Sequence, residues 1–359
     1  MGLLANARAI SLSASLAWLM FAGDGHAHVD AVRVSLAQLF LQADVVVLAR
    51  IDAVSDRDLG EDGKQELLEV VTATVIEQFK GQAEGQLDVF LDAHGPAYYR
   101  PGDTAVLFLE RPGSQTTLAG YVQQGKLDYL SRQVRNTEHI VQASDLPDYR
   151  RVLREYSAAL REPTDASGRA EHIVLRMLES ASPALVESAL IDWQNSGAGM
   201  RFDEREIQQI VAITRDDARP INLRLAILRT LASQQLVGPE AWDPLFTQDT
   251  EMDLVAVIRS TQGFESRHFA PGLQEMLEGS SEPLAEAAAR ALGHPVYTGS
   301  EAAIGKLLEI NSQRLIYDAV AALAVINSQQ SLTILQEAGK YHPDEKVRRL
   351  IDARLGVAD

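Results

Sequence analysis

Apolar positions follow two different periods along this chain. Between residues 45 and 130 they come in short, β-prone runs, and beyond residue 167 they recur at helical spacing. Ahead of both, Val29–Gln42 carries Val32, Leu36, Leu39 and Phe40 on one helical face. VVVLARIDAV (45–54) reads as a first strand, and the polar, Gly-containing segment 55–65 as an exposed hairpin loop. Residues 66–79 alternate, with Val71, Ala73 and Val75 opposite Thr72, Thr74 and Ile76. Strands three and four are expected at 87–91 and 104–109, the latter introduced by Pro101-Gly102-Asp103, and two more at 117–122 and 126–130. Consecutive short strands with no helix between them predict a small antiparallel β-barrel over residues 28–130.

A connector, residues 131–166, follows. Ser131–His139 is polar. Residues 145–160 form a helix with Asp145 as N-cap, Pro147 in its first turn, and Leu153, Tyr156 and Leu160 on one face. Breakers at 161–168 put a boundary near 165.

From 167 to 359 one design repeats, seen most clearly in SEPLAEAAARALG (281–293). Similar helices lie at 182–193, 219–232, 252–264, 313–326 and 344–356. Trp193, Leu231, Gln262, Leu292, Leu323 and Leu355 align, spaced 30 to 38 residues apart. Partner helices fall between them at 172–179, 205–214, 240–246, 268–277, 302–310 and 331–338. One pair has too few apolar residues for its own core, so the pairs must stack, and Ala285, Ala288 and Ala289 permit close approach. The expected fold is multidomain: a barrel, then an all-α superhelical solenoid of about six helix pairs.

Charge and targeting narrow the function. The net charge is −17, and residues 28–166 and 167–359 carry −8 and −9 of it. That surface repels nucleic acid and anionic lipid. There is no cysteine, which removes disulfides, thiolate metal sites and a Cys nucleophile. Residues 1–27 resemble a secretory signal: Arg8, then the apolar run 9–23, then Gly25-His26-Ala27 with small residues suited to cleavage after Ala27. At about 15 residues that run is short for a membrane span. The mature protein is expected to be periplasmic or secreted, with no membrane insertion.

Two resemblances follow. Ala43-Asp44-Val45-Val46, Phe79-Lys80-Gly81 and Gly102-Asp103-Thr104-Ala105-Val106 resemble the netrin-like OB-fold domain of the tissue inhibitors of metalloproteinases, without its cysteines. In those inhibitors the amine and carbonyl of the first Cys chelate the protease zinc. Here His26-Ala27-His28 and His94-Gly95 stand in the cysteine positions. The resemblance implies a metal site, or a zinc-capping inhibitor edge, at His28 and His94; otherwise His28 is a terminal residue and His94 a loop residue. The helix pairs resemble HEAT repeats, which implies an extended surface for another protein.

Other candidates are few. Tyr98, Tyr99 and Arg100 are residue types favoured at protein interfaces, or else the tyrosines pack on the barrel rim. GSEAAIGK (299–306) has the wrong spacing for a phosphate loop, lacks Ser/Thr after the Lys, and follows no strand. Asp249, Glu251 and Asp253 either cap a helix or gather calcium. His268, His294 and His342 sit near repeat turns. No catalytic motif or cofactor-binding signature occurs. The expected function is a non-enzymatic protein-binding scaffold of the cell envelope, with no cofactor. The alternative is a metal-binding or inhibitor-like protein acting through a processed His28.

Overall fold

A computed structural model describes residues 34–58, 67–91, 99–111, 128–131, 138–161, 166–196, 200–278 and 281–356. The expected signal segment, His28, His94, Tyr98 and the strand at 117–122 lie outside these. The described chain opens with α1 (Leu36–Gln42). Ser35 and Gln38 cap it reciprocally: Ser35 Oγ accepts from the Gln38 N–H at 3.2 Å, and Gln38 Oε1 accepts from the Ser35 N–H at 3.0 Å.

Six strands follow: β1 (Val45–Asp58), β2 (Leu67–Lys80), β3 (Gln86–Phe90), β4 (Thr104–Glu110), β5 (Tyr129–Ser131) and β6 (His139–Ile140). Five of them close a ring in the order β1, β2, β3, β5, β4 and back to β1. The β3–β5 pairing is parallel and the others are antiparallel. β6 lies beyond β5 along β4, pairing Ala105 with Ile140.

The two apolar patterns now have a cause. Val45, Val47, Leu107 and Leu109 point into the ring, while Val46, Leu48, Val106 and Phe108 point outward under helices. A strand stretch covered on both faces must be apolar throughout, as Val45–Ala49 of β1 and Ala105–Leu109 of β4 are. β2 alternates because Ile76 faces solvent.

The expected hairpin loop begins later than the sequence suggested. β1 runs to Asp58, paired with Leu67, because its polar residues bond within the sheet. Arg57 Nη1 meets Asp88 Oδ2 at 2.7 Å, and the Thr72 hydroxyl donates to Asp88 Oδ1 at 2.7 Å. The polar connector also holds more structure than expected: Ser131 ends β5 and His139 opens β6.

α2 (Leu146–Arg161) lies along β2. Arg150 and Arg154 both reach Glu77, and the Ser157 hydroxyl donates to the Phe79 carbonyl at 2.6 Å. Leu160, expected on the buried face with Leu153, is exposed.

The helices then alternate in two layers. One layer holds α4 (Pro183–Ser196), α6 (Ile221–Ser233), α7 (Glu251–Ser260), α9 (Glu282–Leu292), α11 (Gln313–Ile326) and α13 (Glu345–Leu355), each packed on the next. Their partners are α3 (Ala166–Glu179), α5 (Glu204–Thr214), α8 (Ala270–Leu277), α10 (Glu301–Lys306) and α12 (Gln329–Tyr341). The partner of α7 is a 3-10 helix, Pro239–Thr247, because Pro244 inside it has no N–H to give an α-helical bond.

The aligned position in α7 is one residue earlier than the sequence suggested. Gln262 is exposed, and Thr261 is buried in the place of Leu231 and Leu292.

Val34–Asp359 forms one compact unit. The outward residues of β1 and β4 share a continuous core with α1, α2 and the helical layers as far as Ile351.

Candidate functional site

Tyr99 is 5% exposed and packs among the inward residues of the ring. Burial pushes its phenol well above the usual range, and Glu138 adds to this. It therefore anchors the segment and presents no surface. The neighbouring Arg100 is exposed, and its N–H donates to Asp103 Oδ2 at 2.7 Å in the Pro101-Gly102 turn. The structure thus separates two of the three proposed contact residues between core and solvent.

No group of three or more His, Asp or Glu residues among those described is placed to hold a metal ion. Around Asp249, Glu251 and Asp253 the visible device is capping: Thr250 Oγ1 accepts from the Asp253 N–H at 3.2 Å and starts α7. The Gly299–Lys306 segment is likewise structural. Glu301 is buried, accepts from the Gly299 N–H at 2.6 Å and from the Ser328 hydroxyl at 2.6 Å, and ties α10 to the start of α12. Burial would raise its pKa, but those bonds outweigh it and hold it low.

The three histidines near turns are all engaged. His268 Nε2 meets Asp243 Oδ1 at 2.7 Å. His342 bridges the Leu308 carbonyl, at 3.1 Å, and the Asp344 N–H, at 3.1 Å. His294 Nδ1 accepts from the Val296 N–H at 3.3 Å, so a neutral ring carries its proton on Nε2.

His294 also lines a cleft of about 460 Å³ between the end of α7, the end of α9, the 3-10 turn Pro295–Tyr297 and the middle of α11. Small residues set its depth. A Cβ on Gly293 would stand 3.0 Å from Ala322 Cα, so glycine lets α9 and α11 close up at its floor.

Charge is organised along one wall. Glu286, with its side chain 7% exposed, takes Arg290 Nη2 at 2.7 Å and Arg314 Nε at 2.6 Å. Arg290 Nε then reaches Asp318 Oδ1 at 3.1 Å. Asp318 Oδ2 is buried without a hydrogen bond. So is the hydroxyl of Tyr297, a residue 1% exposed, which lies beside the Ser266 backbone without a hydrogen bond of normal geometry. Glu265 completes the wall. The Gly263 N–H is the main cause holding its pKa low, offsetting burial, and His294 contributes.

No family model matches the chain, and no curated protein matches it.

Sequence reading did not pick out this cleft. Its signals were present but scattered: Glu265, Arg290, Tyr297 and Asp318 come from three successive units, and only the stacking of α7, α9 and α11 joins them.

Proposed function

We propose that this protein is an exported, non-enzymatic binding scaffold, a netrin-like OB domain followed by a HEAT-like solenoid that presents its second-helix layer to another protein. One observation carries the reading. Arg229 and Arg259 are exposed at equivalent points of two successive helices of that layer, each flanked by buried pairs, and Arg290, at the same point of the next, is ion-paired with Glu286 and Asp318. The flanking residues are Ile227-Leu228 and Thr230-Leu231, then Val257-Ile258 and Ser260-Thr261, then Ala288-Ala289 and Ala291-Leu292. A row of arginines along one face of a chain with a net charge of −17 is a local reversal of sign, suited to an acidic patch on a partner. Arg229 is braced for this role, with its guanidinium 5.8 Å from the Phe264 ring centroid.

The row also fits a repeat architecture, in which equivalent positions line one continuous surface. No helix among the described residues is long and apolar enough to cross a membrane, in keeping with a partner met away from the lipid core. The test is cross-linked capture from cell-envelope extract with the wild-type chain and with Arg229→Glu/Arg259→Glu. The reading expects a specific protein with the wild type and its loss in the variant, while the circular dichroism melt stays unchanged. The same capture by both chains would remove the row from the binding surface and end this reading. Sequencing the N-terminus of exported protein tests cleavage after Ala27.

A further inference from the structure

We infer that the cleft between α7, α9 and α11 is a binding site for an alkylammonium group, the chemistry of a lysine side chain or of a free aliphatic amine. The inference deepens the binding reading and rests on it.

The first argument is charge. Glu286 is matched by Arg314 and Asp318 by Arg290, which leaves the Glu265 carboxylate in excess on the cleft wall. The cleft thus favours a cation.

The second argument is unmet hydrogen bonding. A buried oxygen without a partner costs free energy, and such groups are rare in folded proteins. Two occur in residues lining this one cleft, Asp318 Oδ2 and the Tyr297 hydroxyl. Both can accept a hydrogen bond, and the Glu265 carboxylate supplies a further acceptor.

The third argument separates ammonium from guanidinium. Asp318 has one oxygen engaged by Arg290, so it cannot offer the two parallel acceptors that a guanidinium fork uses. An ammonium is a compact donor of three single hydrogen bonds and needs no such pair.

The fourth argument is the stem. Ala291, Ala321 and Ala322 line the cleft, and Val325 at its edge is 59% exposed. Methylene groups lie along such a surface while the charged end reaches the acceptors.

The experiment is a calorimetric titration of the full chain with three probes: Nα-acetyl-lysine N-methylamide, 1,5-diaminopentane, and the uncharged norleucine amide. Both amines should bind and the norleucine amide should not. Asp318→Asn should weaken amine binding about tenfold or more, and Tyr297→Phe by a smaller factor. Val325→Arg places a competing cation at the exposed edge without touching the core, and should abolish amine binding even if Asp318→Asn folds poorly. A lysine amide that binds as tightly as the diamine supports a partner's lysine as the source, and a diamine preferred about tenfold supports free amines. Binding of neither amine, binding of the norleucine amide as tightly as the lysine amide, or unchanged affinity in both Asp318→Asn and Val325→Arg would overturn the inference. If the amines fail but capture through the Arg229–Arg259 row persists, the inference falls and the scaffold reading stands. If the amines bind but capture ignores the row, the scaffold reading falls.

Discussion

Lys80 closes the end of α1 by donating its ammonium to the Phe40 carbonyl at 2.9 Å while lying 5.7 Å from the centroid of the Phe40 ring. It donates to the Leu41 carbonyl as well, at 2.9 Å. These are carbonyls of the last turn, which have no partner within the helix, and they carry the negative end of its dipole. Replacing Lys80 with Met keeps the stem and removes the donor. The variant should lose about 1–2 kcal/mol of unfolding free energy, read from the urea midpoint at constant slope. A midpoint equal to that of the wild type would show that water replaces the ammonium without cost.

The residue after Lys80 shows how far the sequence was legible. Gly81 has φ +72°, and a Cβ there would stand 2.4 Å from the Asp44 carbonyl oxygen. The Phe79-Lys80-Gly81 and Ala43-Asp44-Val45 segments, separate in the sequence, are therefore two sides of one junction. The second helices were legible for a different reason: similar apolar runs recur at intervals of about 30 residues, so the repeat shows without knowledge of the contacts between them. The strand at His139–Ile140 was not legible, because two residues carry no period and their pairing is supplied by β4. Tyr99 misled because its residue type suits an interface and a core equally, and only the ring decides between them. The cleft was hidden because its wall is assembled across units about 30 residues apart.

Arg224, the fourth residue of α6, is 2% exposed. Its Nε donates to the Thr214 carbonyl, at the end of α5, at 2.8 Å. Its ion pair with Asp217, at 2.8 Å, has a partner whose side chain is largely solvated. The two contacts should separate in denaturant melts. Arg224→Met leaves the Thr214 carbonyl buried without its partner and should cost about 2–4 kcal/mol. Asp217→Ala should change stability by less than about 1 kcal/mol. Equal losses would reassign the role of Arg224 to the ion pair.

His139 is buried between Phe108 and Tyr149, with Nδ1 3.0 Å from the Tyr149 hydroxyl. Burial lowers its pKa from 6.5 to about 4. The unfolded chain thus binds the proton more readily, and acid favours unfolding. The contribution of His139 is fully present above pH 6.5 and falls away as the pH drops toward about 4, by about 3 kcal/mol in all. His139→Phe, which keeps a ring in that place, should remove this dependence. A difference between wild type and variant that stays constant across the window would rule out titration of His139.

Asp192 opposes that trend. Burial raises its pKa from 3.8 to about 6, despite hydrogen bonds from Ser35 and Tyr156. Here the folded chain holds the proton more tightly, so the contribution of Asp192 is fully present below pH 3.8 and is lost as the pH rises through about 6. The loss is up to about 3 kcal/mol. Between pH 4 and 6 the two groups therefore pull stability in opposite directions, and the wild type should be flatter than either single variant. Asp192→Asn keeps a carbonyl for the Ser35 and Tyr156 donors but cannot ionise. Relative to the wild type it should gain about 1–3 kcal/mol at pH 8 and little at pH 4. His139→Phe should diverge from the wild type in the other direction, gaining most at low pH, where the buried imidazole no longer has to stay uncharged. Unfolding free energies of the wild type, both single variants and the double variant, taken every half pH unit, check the pair together. The two shifts should add in the double variant; a shift in either single variant of the opposite sign would show that the burial argument for that group is wrong.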